Sequence, residues 1–328
     1  MADLRTTYMG IELSSPIVVG ACSLSKHVER IQEAEANGAA ALVVKSLFEE
    51  QIELERDELE AALQVGADAF LEAPSYFPNL DHAGPDQHLF WLEKTRKAVK
   101  IPLIASLNAV GSGTWVDWAK RLEGAGVDGL ELNVYTLGNQ PDRSAGDIEK
   151  GLLELVETVC DKVRIPVSVK LAPSFTSLAN LVGKMDRLGV RGFVLFNRFF
   201  HPDIDVKTEK VVQRVHYSDR AEALLPLRWV GLLHGQVKAD LVASTGVHEA
   251  EDVVKLLLAG AKAVQVVSAL YQKKVGHIRT LRDGLAAWMD AKGYRTIDAF
   301  RAKLSQNTLP EPGLYERAQY IKLLLGFD

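Results

Sequence analysis

The chain alternates between helix-like and apolar segments, and the same transition between them occurs four times. In each copy a helix-like stretch ends at a glycine, an unbroken apolar run follows, and a polar residue closes the run. The glycines are Gly38, Gly126, Gly189 and Gly260, and the closing residues are Lys45 with Ser46, Asn133, Asn197 and Ser268. Glycine just past a helix end supplies a left-handed cap, and a run without polar alternation is typical of a strand buried on both faces. The pattern predicts β/α units whose polar strand ends share one face.

Further apolar runs bring the predicted strands to eight, at 16–20, 41–46, 102–107, 129–134, 166–171, 192–197, 239–245 and 263–269. Apolar residues recur with helical spacing over 25–37, 114–125, 146–162, 175–188, 248–259 and 273–292. Candidate caps near these helix starts are Ser25, Asp147 and Thr176. Eight such units predict an α/β fold of the (β/α)8 TIM-barrel type. A doubly wound open sheet is the alternative, disfavoured by the count of eight and by the lack of Gly-x-Gly-x-x-Gly after the first strand.

Both chain ends carry extra elements. Residues 5–14 predict a short β-hairpin that closes the barrel floor, and 296–328 predict a C-terminal helical extension. Nothing resembles a linker, so we expect residues 1–328 to form a single domain. The long excursions at 47–90, 134–146 and 198–224 all follow carboxyl ends of strands. Loops on that face usually form the substrate pocket or its lid.

Composition narrows the class of protein. The 328 residues are 47% hydrophobic and 25% charged, as in ordinary soluble proteins. A net charge of −5 gives no reason to expect nucleic acid or an anionic membrane as a partner, although small anionic ligands stay possible. The two cysteines, Cys22 and Cys160, lie too far apart in sequence to indicate a disulfide scaffold or a cysteine-rich metal site. No signal-peptide segment is present, and no apolar run approaches the ~20 residues of a membrane span, so we expect a cytoplasmic protein. We also expect no bound metal.

The predicted strand ends gather amines, amides and hydroxyls at one mouth. Lys170 lies in an apolar run, where it can neutralise a reduced flavin, form a Schiff base or pair with a carboxylate such as Glu131. Lys45 has the same three options. Asn133 and Asn197 suit the edge of a planar ring, with loop capping as the alternative. After the last two strands, Thr245-Gly246 and Ser268 are typical of a barrel phosphate site, with an ordinary tight turn as the alternative.

Ten short segments, in order, resemble the FMN-dependent dihydroorotate dehydrogenase family, closest to its cytosolic class 1 type. They are the N-terminal hairpin, Ser-Pro-Ile-Val-Val-Gly-Ala-Cys (15–22), Val-Val-Lys45-Ser46, Glu131-Leu-Asn133, Val-Lys170-Leu-Ala-Pro, Phe-Asn197, Pro226-Leu-Arg-Trp, Ser244-Thr245-Gly246-Val, Val-Gln-Val-Val-Ser268-Ala-Leu and Lys292-Gly-Tyr-Arg-Thr-Ile-Asp-Ala-Phe300. The resemblance covers nearly the whole chain.

The resemblance implies an oxidoreductase in which FMN takes a hydride from a CH–CH bond, as when dihydroorotate becomes orotate in pyrimidine biosynthesis. It implies that FMN is held by Gly20, Ala21, Cys22, Lys45, Ser46, Ser106, Asn133 and Lys170, and its phosphate by Thr245, Gly246, Val267 and Ser268. Lys170 would face the N1 side of the reduced ring, and Asn197 would reach a small-molecule substrate. By family analogy we also expect a homodimer.

The chain departs from the family's pattern around the substrate. The position of the catalytic base, three residues after Asn133, holds Thr136, which we predict to be catalytic together with Lys45. One orotate-contacting asparagine is replaced by Ala73, and another falls on Gly138 or, with a one-residue shift, on Asn139. Arg198 follows Asn197 and is a candidate clamp for a substrate carboxylate. Three hypotheses for the function stay open: dihydroorotate oxidation, a paralogous flavoenzyme with another unsaturated substrate, and a lyase that uses Lys170 as a Schiff base.

Overall fold

The computed structural model describes residues 2–48, 85–108, 112–134, 138–198 and 201–326. Two short antiparallel strands come first, β1 (Thr6–Tyr8) and β2 (Ile11–Leu13). Eight parallel strands then close a barrel: β3 (Ile17–Val19), β4 (Ala41–Phe48), β5 (Leu103–Asn108), β6 (Gly129–Asn133), β7 (Val167–Leu171), β8 (Gly192–Leu195), β11 (Asp240–Ser244) and β12 (Ala263–Val266). Neighbouring strands follow chain order around the barrel, and β12 pairs with β3 to close it. The (β/α)8 prediction is confirmed.

Helices surround the barrel and cover its outer face. Those of the described part are α1 (Val28–Ala36), α2 (Pro85–Ala98), α3 (Ser112–Gly124), α4 (Ala145–Lys162), α5 (Leu178–Arg187), α6 (Leu224–Leu233), α7 (Ala250–Ala259), α8 (Ser268–Lys273), α9 (His277–Lys292) and α10 (Arg317–Leu325). In α5 the buried residues Leu178, Leu181, Val182 and Met185 follow the helical spacing of a single apolar face. Within the described ranges no helix combines the length and the apolar character that a membrane crossing requires.

Several elements differ from the sequence-based expectations. The antiparallel pair β9 (Pro202–Asp205) and β10 (Lys210–Gln213) lies in a segment expected to be a long excursion, and helix α2 begins in another. Helix α6 lies almost wholly in a stretch for which no element was predicted. The α6 sequence is almost wholly apolar, so no amphipathic period marks it. The helix predicted over 273–292 is α9, which begins four residues later than predicted, at His277; the short helix α8 precedes it and ends before Lys274, whose φ is +70°. The predicted caps were wrong: Ser144 caps α4, while α1 and α5 follow His27 and Ser177.

The N-terminal hairpin closes the amino-terminal end of the barrel. Tyr8 is fully buried there, and the Met9 amide donates to Asp240 Oδ2 over 2.9 Å. A Cβ atom on Gly192, which begins β8, would lie 2.6 Å from Tyr8 Cε2, so only glycine leaves room for the ring. We call this end the floor, defined by Tyr8, Met9 and the inward side chains at the strand starts.

The barrel interior changes character along the strands. Most inward side chains nearest the floor are apolar and form one cluster with Tyr8, and the buried Ser168 is the polar exception in that layer. The apolar members are Val18, Ala41, Val43, Ile104, Val194, Val242 and Ala263. Because strand side chains alternate with period 2, the next inward layer lies two residues further on. In that layer stand Lys45, Ser106, Glu131, Lys170 and Gln265. We call this layer and the strand ends above it the mouth.

Candidate functional site

A cavity of about 650 Å³ opens at the mouth. This volume falls within the roughly 300–1,000 Å³ that is usual for cofactor and substrate sites. All eight barrel strands or the residues directly after them contribute to its lining. The predicted site residues that line it are Ala21, Cys22, Lys45, Ser46, Asn133, Lys170, Asn197, Arg198, Thr245, Gly246, Val267 and Ser268.

The remaining predicted residues have different positions. Ser106 lies behind the lining, where its hydroxyl is 2.8 Å from that of Ser46. Gly20 is also behind it, and a Cβ atom there would lie 2.8 Å from Val267 Cγ2, so the backbone approaches the β12 strand closely. Asn139 is exposed and is not part of the lining. Thr136, like Ala73, lies outside the described residues.

A buried charged group lies at the bottom of the cavity. Lys170 Nζ donates to Gln265 Oε1 over 3.1 Å and lies 3.9 Å from Glu131 Oε1. The Gln265 amide in turn donates to Glu131 Oε2. Glu131 is fully buried and Lys170 is 6% exposed. Sequence reasoning paired Lys170 with Glu131 but missed Gln265, whose signal was a polar residue in the apolar run Val-Gln-Val-Val.

This arrangement keeps Lys170 as an ammonium that faces the cavity. Two charges removed from water are tolerated only when they are paired and hydrogen-bonded, and the Glu131 carboxylate and the Gln265 carbonyl supply both conditions. A lysine that forms a Schiff base reacts as the neutral amine. The contacts of Lys170 with Glu131 and Gln265 therefore favour an electrostatic role over a nucleophilic one.

Lys45 and the next residue, Ser46, both line the cavity, although neighbouring side chains of a regular strand point to opposite faces. The pairing register between β4 and β5 shifts between Val44 and Leu47, and such bulges re-aim side chains next to binding sites. Ser25, expected to be a helix cap, instead accepts from the Lys45 amide over 2.7 Å and donates to the Cys22 carbonyl over 2.8 Å. Burial, with a smaller contribution from Lys26, lowers the pKa of Lys45 below its ordinary value. Within the described ranges, no carboxylate pairs with its ammonium, which leaves it available to an anionic ligand.

The two halves of the predicted phosphate site lie side by side. Thr245 and Gly246 have φ angles of +83° and +76°, and a Cβ atom on Gly246 would lie 2.3 Å from the Ala223 amide nitrogen. Ser218 bridges the halves, since its amide donates to Ser268 Oγ over 3.1 Å and its hydroxyl accepts from the Gly246 amide over 3.3 Å. Sequence reasoning missed Ser218, because it lies in an excursion without a recognisable motif.

Arg198 and Asn197 both line the cavity but are already hydrogen-bonded. Arg198 Nε donates to Glu222 Oε2 over 2.8 Å and Nη2 to Glu222 Oε1 over 3.3 Å, and Nη1 donates to the His216 carbonyl. The Arg198 guanidinium, predicted to hold a substrate carboxylate, is thus bound to the carboxylate of Glu222. Asn197 Nδ2 donates to Asn133 Oδ1 over 2.7 Å, which joins two strand ends that sequence reasoning predicted to meet.

A (β/α)8 barrel whose mouth combines a fixed ammonium, amides and glycine turns is the architecture of an enzyme for a small, partly anionic ligand. The chain belongs to the dihydroorotate dehydrogenase family, whose sequence model matches residues 3–289. The family consists of oxidoreductases and is generally flavin-dependent.

Individual relatives agree with this assignment. A provisionally named dihydroorotate dehydrogenase A (fumarate) of Aeropyrum pernix is 34% identical over 63% of this chain and 68% of its own. The catalytic subunits of dihydroorotate dehydrogenase B (NAD(+)) from Thermoplasma volcanium and Methanosarcina acetivorans are 25% and 28% identical. These matches cover 91% and 88% of this chain and 97% and 92% of the relatives.

Proposed function

We propose that this protein is an FMN-dependent oxidoreductase that acts on a CH–CH bond, with dihydroorotate as substrate and orotate as product, in pyrimidine biosynthesis. The observation that carries the proposal is the ammonium of Lys170, fixed at the bottom of the cavity by Gln265 and Glu131. Bound FMN would supply the hydride acceptor, and its reduced ring carries negative charge. A cation fixed in a site of low dielectric stabilises that charge without having to reorganise.

The cavity fits FMN at both of its ends. At the ring end, Gly20, Ala21, Cys22 and Ser46 would offer backbone and hydroxyl contacts, and Asn133 an amide. At the phosphate end, Thr245, Gly246, Val267 and Ser268 would surround the anion. Gly246 keeps the backbone open there, because a side chain at that position would strike Ala223. No carboxylate is among the cavity-lining residues of the described part, which suits a ligand that carries a phosphate.

Proton transfer would involve Lys45 and Thr136. Oxidation of a CH–CH bond to C=C removes a hydride from one carbon and a proton from its neighbour, so a group near the second carbon must accept the proton. Lys45 lines the cavity, and its lowered pKa brings its neutral form closer to neutral pH. Thr136, whose hydroxyl would relay the proton, stays a sequence-based prediction.

A second candidate is the oxidation or reduction of a different unsaturated compound. The observations in its favour are the guanidinium of Arg198, already bound to Glu222, and Ala73 at a position where the family has asparagine. A second such position falls on Gly138 or, with a one-residue shift, on Asn139. The flavin-facing residues are shared by both candidates, so only the substrate distinguishes them.

Anaerobic spectroscopy of the purified, FMN-treated protein tests the proposal. We expect a flavin spectrum that dihydroorotate bleaches. A flavin spectrum that dihydroorotate leaves unchanged would move the assignment to the second candidate. A protein that takes up no FMN would contradict both.

We also propose that the chain forms a single domain and acts as a homodimer. The β9–β10 pair carries large apolar side chains in solvent: Ile204 is 64% exposed, Val206 83% and Val211 73%. A two-stranded sheet is marginal in isolation, so a second copy packed on it would stabilise it. Light scattering of the wild type and of Val211→Lys tests this, with a dimer expected for the first and a monomer for the second.

A further inference from the structure

We propose that Asn108 is a substrate-binding residue, the third amide of a cluster with Asn133 and Asn197. The inference rests on the proposed function, because it places the substrate in the same cavity. Asn108 is the last residue of β5. Neither the family resemblance nor the FMN contacts described above give it a role.

The position of Asn108 on β5 directs it into the cavity. Residues two apart on a strand share a face, so Asn108 follows Ser106 one layer closer to the mouth. Ser106 is satisfied by Ser46. Asn108 lines the cavity and is only 7% exposed, yet its amide makes no hydrogen bond to any residue of the described part. The amide borders the cavity, so a ligand bound there can supply its hydrogen-bond partner.

The neighbouring strand end supplies the rest of the cluster. Leu107 pairs with Leu132 in the β5–β6 register, which puts Asn108 next to Asn133 on the inward side. The contact between Asn197 Nδ2 and Asn133 Oδ1 uses one hydrogen of the Asn197 amide, so its second N–H, its carbonyl, the Asn133 NH2 and both ends of the Asn108 amide stay available.

These groups define a class of ligand. The cluster offers both donors and acceptors, which complements a planar molecule that carries both carbonyl and N–H groups on its edge. Lys45, once it holds the proton taken from the substrate, adds a cation for an acidic substituent of the product. A cyclic amide with a carboxylate has this chemistry. Asn108 would supply an amide contact that the chain lacks at Ala73.

Two measurements test the role of Asn108, with Asn108→Ala and Asn108→Leu as variants. In the first, orotate is titrated into the FMN-loaded protein and followed by the flavin absorbance. We expect about tenfold weaker orotate binding in both variants, since the ligand's edge loses a partner. The dissociation constant of FMN is expected to stay within about twofold of the wild type. Gln140→Ala removes an exposed amide outside the cavity and is the matched control.

The second measurement is thermal unfolding without orotate. An amide that waits for a ligand is a cost to the ligand-free protein, so Asn108→Leu is expected to melt at or above the wild-type temperature. A lower melting temperature would show a structural role and overturn the proposal, as would unchanged orotate affinity in both variants. Failure of the wild type to bind orotate would contradict dihydroorotate as substrate, and the melting result would still decide the role of Asn108.

Discussion

The floor and the mouth of the barrel are built from the same strands but have opposite chemistry. On β4, Val43 packs into the floor and Lys45, two residues later, faces the cavity. On β5, Ile104 and Ser106 show the same change. The period of 2 along a strand therefore lets one short segment contribute to folding at its start and to binding at its end. Stability and function are separated by about two residues of rise, roughly 6.6 Å.

The two regions also differ in their contribution to the free energy of folding. The floor buries apolar surface, which stabilises the folded state. The mouth buries Lys170, Glu131 and Gln265, whose desolvation opposes folding and is offset only by their mutual contacts. Substitutions at the floor are thus expected to act on stability, and those at the mouth on ligand binding.

The largest effect is expected at the floor. Tyr8→Ala removes a fully buried ring and should lower the free energy of unfolding by about 4 kcal/mol. Tyr8→Phe keeps the ring and should cost less than about 1.5 kcal/mol. Urea unfolding measures both. Comparable losses in the two variants would show that the hydroxyl, and not the packing of the ring, holds the floor together.

Lys170→Met should affect both stability and binding. It leaves Glu131 buried without its cation, which should lower the free energy of unfolding by about 3 kcal/mol. FMN binding should weaken at least about tenfold, since a fixed cation is lost. The double variant Lys170→Met with Glu131→Gln should recover stability but not FMN affinity. Urea unfolding and fluorescence titration with FMN separate the two, and recovery of FMN affinity would contradict the role given to Lys170.

A smaller effect is expected at the rim of the mouth. Arg198 and Glu222 are partly exposed, so their pair should contribute about 1 kcal/mol. A double-mutant cycle with Arg198→Ala and Glu222→Gln measures this coupling. If Arg198 binds substrate, Arg198→Ala should weaken substrate binding while flavin occupancy stays intact. Equal loss of substrate and flavin would argue against that role.

The smallest effects are pH dependences of opposite sign. Burial raises the pKa of Asp240, at the floor, above 3.8, so its contribution to stability is complete below pH 3.8 and is lost as the pH rises through the folded-state pKa. Burial and then Lys45 lower the pKa of His88, beside the mouth, from 6.5 to about 4. The contribution of His88 is complete above pH 6.5 and is lost as the pH falls toward 4.

Unfolding free energies measured from pH 3 to 8 show whether stability changes with pH in the direction predicted for Asp240 and for His88. Asp240→Asn, which keeps an acceptor for the Met9 amide, should remove the dependence that arises from the floor. His88→Gln should remove the loss on the acid side. A variant that steepens either dependence would show that the burial of that group has been misjudged.

Much of the fold followed from patterns within short stretches of sequence. The strand runs, the N-terminal hairpin and the amphipathic helices were predicted close to their observed bounds, because period and apolar content are local properties. Helix α6 was missed because residues buried on all sides carry no period. The candidate site was predicted as a set of strand ends, and most of those residues line one cavity.

The partners of these residues were not predictable. Gln265 meets Lys170 across 95 residues of sequence, and Ser218 meets Ser268 across 50. Arg198 was predicted to face a substrate, whereas Glu222 from a segment expected to be a loop binds its fork. Asn108 ends β5, and only its place in the cavity lining without a hydrogen bond to the described part sets it apart.

By itself, the sequence determined which residues alternate inward and which polar groups end the strands, because a strand's period and a glycine cap depend only on neighbours along the chain. These features were sufficient to predict the barrel, the face that carries the site, and the family. The tertiary structure decided which charges are paired and which amide is left over, because barrel closure brings distant strands to within a few ångströms. At that range, burial strengthens each contact and raises the cost of each missing partner.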